Sequence, residues 1–314
     1  MPFQSNNLTT SPANKKFKVA IGIPAYNEGR NIRRLLDELS HQNQDTFELI
    51  ETIVVSDGSS DNTVEEARSS SLTHVEIIAH TDRQGQAARQ NEILDRFKGD
   101  LLVLLTGDVL PGNTDMLNHA VSAFYKYPDV GLVGIKHVPL PARTFIEEVV
   151  NFGVAMKADI FMEINGWNNL FNCRGGARVF SRNFSDKFRW DIHAAEDAYS
   201  YMRCKELGFR FYYSDRAFIF YRSPSTFKDH IKQSTRFVKS QNILHRSAGA
   251  KNNNLNYPVS KLMVMRILGS SFRKNSGLCI SYITLFMISR LFYLFIKSDA
   301  VKYDTSNSSK NVSV

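Results

Sequence analysis

The sequence of 314 residues contains little cysteine and none of several familiar catalytic signatures. Its three cysteines, Cys173, Cys204 and Cys279, are widely spaced and form no CxxC pair, which argues against a disulfide scaffold or a thiolate zinc site. The strings GxxxxGK[ST], GxGxxG and HExxH are also missing. A Walker ATPase, a dinucleotide dehydrogenase and a zincin protease are therefore disfavoured.

Acidic residues are scarce in the last third of the chain. Residues 222–314 carry 15 Lys and Arg but only 3 Asp and Glu, a net charge of +12, whereas residues 1–221 carry 24 against 28, a net charge of −4. The overall charge of +8 is therefore concentrated at one end of the chain. This distribution disfavours a uniformly basic nucleic-acid-binding domain, and it favours an anionic membrane surface as the partner of the C-terminal region.

Between residues 17 and about 137, short apolar runs alternate with segments whose apolar residues recur at helical spacing. The runs predicted to be strands are residues 19–23, 50–55, 75–79, 101–105 and 130–135. Because these runs are not simply alternating, both faces of the sheet should be covered by helices. The sequence therefore predicts an α/β fold with a mainly parallel, doubly wound sheet.

The composition predicts four segments along the chain. We expect a disordered tail over 1–16, an α/β domain over 17–248, a basic and apolar helical extension over 249–303 that associates with a membrane, and a disordered tail over 304–314. The apolar run 278–296 approaches the roughly 20 residues that span a bilayer. A single span, a re-entrant or in-plane anchor, and a helix packed on the α/β domain all remain open.

Ligands of open α/β sheets bind at the carboxyl ends of the strands, where this chain has polar side chains. Asp57 follows the second apolar run, and its carboxylate could accept the N–H groups of a nucleobase. Asp108 follows the fourth run, where a carboxylate near a diphosphate is a natural ligand for Mg²⁺ or Mn²⁺. A turn with a helix N-cap accounts for the neighbouring Asp61 and Asn62 but does not explain Asp57, whereas helix capping is the structural alternative for Asp108.

A series of strings in a fixed order resembles the family 2 glycosyltransferases, which are inverting enzymes of the GT-A fold. The similarity extends from about residue 17 to residue 237. The strings are IGIPAYNE at 21–28, VVSDGSSDNT at 54–63, RQGQAARQN at 83–91, LTGDVLP at 105–111, AED at 195–197 and QSTRF at 233–237. The fourth falls where the family has its DxD motif, and the last is similar to QxxRW with Phe in place of Trp.

The resemblance implies a role for each matching residue. Asp197 would be the catalytic base, and Asp108 would match the metal-binding second Asp of DxD. The donor site would comprise Pro24, Tyr26, Glu28, Asp57, Arg83, Thr106 and Asp108. The acceptor, sugar or diphosphate region would comprise Gly175, Gly176, Glu196, Gln233 and Arg236. Thr106 departs from the family, because a neutral hydroxyl stands where the first Asp of DxD is usual.

These observations predict an inverting hexosyltransferase that uses a nucleotide sugar, a UDP-sugar in the first instance, together with Mg²⁺ or Mn²⁺. The acceptor would be a hydroxyl of a glycan or lipid-linked molecule in cell-surface polysaccharide or glycoconjugate synthesis. We expect the protein at the cytoplasmic face of the cell membrane, with a soluble cytoplasmic protein as second choice. A non-catalytic nucleotide-sugar binder and a sugar-nucleotide pyrophosphorylase are the alternatives, although the Gly-rich loop of nucleotidyltransferases is missing near the start.

Overall fold

The structure is a computed structural model that describes residues 16–191, 196–247, 259–295, 310 and 312. Its strands are β1 (Phe17–Ala25), β2 (Phe47–Asp57), β3 (Val75–His80), β4 (Leu101–Leu105), β5 (Val109–Pro111), β6 (Val130–Pro139), β7 (Ala177–Ser181) and β8 (Arg210–Tyr221). Its helices are α1 (Ile32–Ser40), α2 (Thr63–Arg68), α3 (Gln86–Arg96), α4 (Met116–Lys126), α5 (Phe145–Glu163), α6 (Arg182–Ser185), α7 (Glu196–Glu206), α8 (Phe227–Ser247), α9 (Lys261–Lys274) and α10 (Ser276–Phe295).

The eight strands form one sheet in the order β3-β2-β1-β4-β7-β6-β8-β5. The first four are mutually parallel, and β6 pairs in parallel with β8. Strand β7 runs antiparallel to β4 and to β6, and β5 runs antiparallel to β8. The predicted α/β class with a mainly parallel sheet is confirmed, and the five predicted strands are all present.

Helices cover both faces of the sheet, as the apolar runs predict. Along β1, Val19, Ile21 and Ile23 pack into one core while Ala20, between them, packs into the other. Helix α1 buries Ile32, Leu35, Leu36 and Leu39, which are spaced three or four residues apart along one helix face. A strand buried on both faces exposes only its ends, and the carboxyl ends of β1, β2 and β4 therefore carry the polar site.

The C-terminal helices pack on α5. A third apolar cluster joins the middle of α5 to α9 and α10, and a Cβ placed at Gly153 would lie 1.9 Å from the Tyr282 ring. The segment Ser276–Tyr293 is long and apolar enough to cross a membrane, yet only 22% of it is buried inside the protein. One face of α10 thus packs on α5, while the other face is exposed.

Parts of the predicted organisation lie outside the described residues. These are residues 1–15 of the N-terminal tail, residues 192–195 with Ala195 of the AED string, residues 248–258, residues 296–303 of the extension, and most of the tail 304–314. Within the last segment the structure describes Lys310 and Val312, and both contact the beginning of α1.

Candidate active site

Two loops at the carboxyl edge of the sheet are tied together by hydrogen bonds. The loop after β1 donates from Asn27 N to Ser59 Oγ at 3.1 Å and from Glu28 N to Thr63 Oγ1 at 2.8 Å, while Ser60 N donates to Asn27 Oδ1 at 2.8 Å. Gly58 has a φ of 69°, a conformation that favours glycine, and so allows the turn after β2. The loops that carry Tyr26, Glu28 and Asp57 therefore form one framework.

Asp57 is buried, and both of its carboxylate oxygens accept hydrogen bonds. Oδ1 accepts from Arg89 Nε at 2.7 Å and from Gln84 N at 2.8 Å, and Oδ2 accepts from Gly85 N at 2.9 Å. Arg89, only 3% exposed, is a partner that the sequence reasoning missed; its signal was the helical spacing that places it on the buried face of α3. Asp57 thus fixes the loop before α3, and oxygen lone pairs remain for a ligand.

The aromatic ring of Tyr26 stacks on the side chain of Arg83, which directly precedes the two residues whose main-chain N–H groups bind Asp57. The guanidinium carbon of Arg83 lies 4.0 Å from the ring centroid, within the range of cation–π attraction. Pro24, the last residue but one of β1, lies opposite Val55 of β2. Pro24, Tyr26, Asp57 and Arg83 therefore lie on neighbouring segments at the carboxyl ends of β1 and β2.

Two carboxylates, Glu28 and Asp108, lie close together at this edge. Burial and, to a smaller extent, the nearby charge of Asp108 raise the pKa of Glu28 to about 7. Gly107 permits this approach, because a Cβ there would lie 2.7 Å from Glu28 Cγ. Asn31 Nδ2 donates to Glu28 Oε2 at 3.0 Å, and Lys310 Nζ pairs with Glu28 Oε1 at 2.8 Å.

The carboxylates suit a divalent cation that is held partly by a substrate. Asp108 is half-buried at the end of β4, and carboxylate oxygens are the ligands that Mg²⁺ and Mn²⁺ prefer. Among the described residues, no group of three His, Cys, Asp or Glu side chains could hold an ion on its own. Such an ion would need phosphate oxygens as further ligands, as is usual for Mg²⁺ at nucleotide sites.

The predicted acceptor side adjoins the donor side through the pairing of β4 with β7. Thr106 N donates to Gly176 O at 3.0 Å, and a Cβ at Gly175 would lie 3.7 Å from Asp197 Cβ. Asp197 is half-buried in the first turn of α7. Its main chain is held by Ser200 Oγ, which donates to Asp197 O at 2.7 Å and accepts from the buried Arg178 Nη1 at 2.8 Å. The structure therefore brings Thr106, Gly175, Gly176 and Asp197 together.

Cationic side chains that the sequence reasoning missed lie around Arg174, the residue that precedes the glycine pair. Burial lowers the pKa of Lys157 to about 8, and the positive charges of Arg174 and Arg290 lower it in the same direction. Burial and the charge of Arg174 lower the pKa of His137 to about 3, so its ring is neutral. Because His137 Nδ1 then donates to Ile135 O at 2.9 Å, Nε2 is an acceptor. Mutual repulsion in this group favours an anionic ligand.

The remaining predicted residues are placed less closely. Gln233, half-buried, and Arg236, exposed, lie on α8. Of the hydrogen bonds found among the described residues, none joins either side chain to Asp108 or Asp197. Glu196 begins α7, but its side chain lies outside the part that the structure describes.

The sheet carries its polar site at the carboxyl ends of parallel strands, which is where α/β proteins of the nucleotide-binding class hold their ligands. Comparisons with known proteins identify the family. The chain matches Glycosyl transferase family 2 over residues 20–189, more than half of its length, and Glycosyl transferase family group 2 over residues 112–297. The protein therefore belongs to glycosyltransferase family 2, as the sequence strings predicted.

Curated relatives match only part of the chain. The glycosyltransferase AglE of Haloferax volcanii is 27% identical over 159 residues, which are 46% of this chain and 52% of AglE. The undecaprenyl-phosphate 4-deoxy-4-formamido-L-arabinose transferase of Yersinia pestis is 31% identical over 113 residues, which are 34% of this chain and 35% of that enzyme. The chain thus spans about half of the first relative and about a third of the second.

Solved structures match over most of the chain. The mannosyltransferase PcManGT of Pyrobaculum calidifontis, in complex with GDP-Man and Mn²⁺, has a TM-score of 0.59 at 18% identity and covers 92% of this chain and 91% of its own. TarS 1–349 of S. aureus, in complex with UDP-GlcNAc, has a TM-score of 0.52 at 16% identity and covers 82% and 81%. These similarities establish the fold, and the predicted GT-A class is confirmed.

Proposed function

We propose that this protein is an inverting glycosyltransferase that moves a sugar from a nucleotide donor to a hydroxyl group of its acceptor. The observation that carries this proposal is the position of Asp197. Its Cβ lies 3.7 Å from a Cβ built at Gly175, and the neighbouring Gly176 is hydrogen-bonded to Thr106, two residues before Asp108. A carboxylate suited to proton removal is thus adjacent to the sheet edge suited to a nucleoside diphosphate.

The chemistry requires a base on one side of the reacting carbon and a stabilised leaving group on the other. In direct displacement, the acceptor oxygen bonds to the anomeric carbon, its proton passes to the Asp197 carboxylate, and the bond to the nucleoside diphosphate breaks. Proton transfer of this kind contributes roughly 10²–10⁴-fold to the rate. A divalent cation held by Asp108 would supply charge stabilisation for the diphosphate.

We assign the nucleoside to the corner formed by Tyr26, Asp57 and Arg83. The ring of Tyr26 offers a stacking surface, and Asp57 offers an acceptor for base N–H groups. Pro24, Glu28 and Thr106 complete this donor site, with Mg²⁺ or Mn²⁺ at Asp108. The proposed donor is a UDP-sugar, and the structural relatives bound to GDP-Man and UDP-GlcNAc make both bases worth testing.

The cationic group beside the glycine pair supports an acceptor that carries negative charge. Lys157, Arg174 and Arg290 approach one another, and the depressed pKa of Lys157 indicates that an anion would stabilise this arrangement. A lipid-linked acceptor contributes phosphate, and Gln233 and Arg236 on α8 remain candidates for the same region or for the diphosphate. A glycan hydroxyl on a phosphate-bearing carrier therefore fits the site best.

The C-terminal helices support attachment to a membrane surface. Leu262, Met265 and Met287 are 77%, 69% and 61% exposed, although all are apolar. Basic residues Arg266, Arg273 and Lys274 accompany them on α9. An exposed apolar face with nearby positive charge is typical of helices that lie in the interface of anionic membranes. We propose such attachment at the cytoplasmic face of the cell membrane, as part of cell-surface glycoconjugate synthesis.

Replacement of the proposed base tests this assignment. We expect Asp197→Asn to lower sugar transfer by at least 10²-fold while the affinity for the nucleoside diphosphate stays unchanged, because the carboxylate acts on the acceptor. Turnover by radiolabelled sugar transfer and binding by calorimetry measure the two quantities. Asp215→Asn, at an exposed position on β8, is the matched control. Full transfer activity in Asp197→Asn would refute the assignment of the base.

The non-catalytic binder is the second candidate function, and the observation in its favour is Thr106 in the DxD-like position. It predicts tight binding of a nucleotide sugar with no transfer to any acceptor and no hydrolysis. The same assay separates the two functions. A pyrophosphorylase would instead release pyrophosphate from a nucleoside triphosphate and a sugar phosphate.

A further inference from the structure

A C-terminal segment of the chain, represented by Lys310 and Val312, contacts the proposed donor site. Lys310 and Val312 lie against the beginning of α1, about 280 residues away in sequence. Asn31, 4% exposed, donates from Nδ2 to Lys310 O at 2.5 Å and accepts at Oδ1 from Val312 N at 3.2 Å. Arg34 Nη1 also donates to Val312 O at 3.3 Å. One side-chain amide thus binds main-chain groups of both Lys310 and Val312, which is a specific way to hold a peptide segment.

Side-chain contacts reinforce this main-chain recognition. Val312 is 1% exposed and packs into the same core as α1 and β1. The Lys310 ammonium pairs with Glu28 Oε1 at 2.8 Å, donates to Asn27 O at 3.2 Å and also donates to Tyr26 O. Apolar burial at Val312 and a charge pair at Lys310 therefore act two positions apart, and the receiving residues Glu28 and Asn31 are themselves buried.

Two of the residues that hold Lys310, Tyr26 and Glu28, belong to the proposed donor site. The ammonium lies 5.5 Å from the centroid of the Tyr26 ring, and a Cβ at Gly107, the residue before Asp108, would lie 2.7 Å from Glu28 Cγ. A divalent cation at Asp108 would repel an ammonium held at Glu28, because like charges repel strongly at a poorly solvated site. A base stacked beside Tyr26 would also need space that the Lys310 side chain occupies.

We propose that the beginning of α1 is a docking site for the chain's own segment around Lys310, and that the docked segment and the nucleotide donor exclude each other. The exclusion of the donor rests on the proposed function, whereas the docking of the segment does not. Donor binding then requires release of the segment, so the apparent donor affinity equals the intrinsic affinity multiplied by the fraction of molecules with the segment released.

Release of the segment by substitution tests the exclusion in the full chain. We expect Lys310→Ala combined with Val312→Asp to tighten binding of UDP or GDP with Mn²⁺, by about tenfold if nine molecules in ten are docked. Calorimetric titration measures the dissociation constant. Lys98→Ala removes the same charge at an exposed position before β4 and should change nothing. Weaker binding in the double variant would mean that Lys310 belongs to the donor site, and equal binding would mean that it does not compete; both results overturn the proposal.

A peptide with the sequence of residues 304–314 tests the docking independently of any activity. Labelled peptide should bind the full-length double variant in fluorescence anisotropy, and Asn31→Ala should weaken it at least tenfold, whereas Asn43→Ala, an exposed amide, should not. UDP or GDP with Mn²⁺ should displace the peptide. If the peptide fails to bind, docking is refuted. If it binds and a bound nucleotide does not displace it, exclusion is refuted. If no nucleotide binds while the peptide docks, the proposed function fails and the docking stands.

Discussion

The donor edge is the sheet edge that carries the proposed donor site, at the carboxyl ends of β1, β2 and β4. Its surface and that of the C-terminal helices α9 and α10 are of opposite kinds. At the donor edge, polar side chains are buried and bonded to one another, as in the pairing of Asp57 with Arg89. On α9 and α10, large apolar side chains are exposed beside basic residues. The first arrangement suits a small ligand that must be oriented by fixed groups. The second suits a broad surface whose binding depends on area and net charge. The charges of −4 and +12 in the two parts of the sequence follow the same division.

The largest expected effect comes from breaking the rigid framework of the donor edge. Arg89→Leu leaves the Asp57 carboxylate buried without its ion partner, and loss of one member of a buried pair typically costs about 3–5 kcal/mol of unfolding free energy. Urea unfolding measures the change. Arg96→Leu, on the same helix with partners at 3.3 and 3.7 Å, is the exposed control and should cost below about 1 kcal/mol. Equal effects of the two substitutions would contradict the rigid framework.

Substitutions on α9 and α10 test the other side of the comparison. The combination Leu262→Ser, Met265→Ser and Met287→Ser should lower binding to anionic vesicles by about 10²-fold, because each side chain half-immersed in the interface contributes about 1 kcal/mol, or about 3 kcal/mol for the three. Vesicle co-sedimentation measures the partitioning. Ile267→Ser, at a buried position of α9, should instead lower stability by about 2–4 kcal/mol and leave the vesicle affinity of the folded protein unchanged. Unaltered partitioning of the triple variant would refute membrane attachment through this face.

The protonation of Glu28 gives a smaller effect that depends on pH. With a pKa of about 7 in the folded protein against 4.5 for an ordinary glutamate, the folded state retains a proton that the unfolded chain releases. Wild-type stability should therefore fall as pH rises from 4.5 to 7, by at most about 3 kcal/mol from this group. Glu28→Gln should lose this dependence, as measured by thermal unfolding across that range. Lys310 lowers the pKa of Glu28, so Lys310→Ala should make stability fall more steeply with pH than in wild type. If the curves of stability against pH were parallel for wild type and Glu28→Gln, Glu28 would not be the group responsible.

The fold could be predicted from the sequence wherever local patterns decide it. Apolar runs identified β1 to β4 and β6, and the position of Asp57 and Asp108 after such runs predicted that they would share one sheet edge. The three-residue strand β5 was missed, because its pairing with β8 depends on residues more than 100 positions away. The antiparallel insertion of β7 between β4 and β6 is likewise a long-range choice that periodicity does not encode.

The site was less predictable, since its charges are paired through space. The strings indicated Arg83 but not Arg89, although both stand in RQGQAARQN; the helical position of Arg89 is what buries it against Asp57. Lys157 on α5 belongs to no motif, and its pKa is lowered by burial in the folded protein and by the charges of Arg174 and Arg290, which are distant in sequence. The contact of Lys310 with Glu28 joins distant parts of the chain, and no spacing rule could have suggested it.

Nucleotide binding tests the central claim most directly, because the donor edge is proposed to hold a nucleoside diphosphate together with a cation at Asp108. Thermal unfolding of wild type and Asp108→Asn should be compared with UDP or GDP, each with and without Mn²⁺. We expect one nucleotide, at about 100 times its dissociation constant, to raise the wild-type Tm by about 5–10 °C, and only when Mn²⁺ is present. Asp108→Asn should lose this shift. A shift that is independent of Mn²⁺ and of Asp108, or no shift with either nucleotide, would contradict the claim.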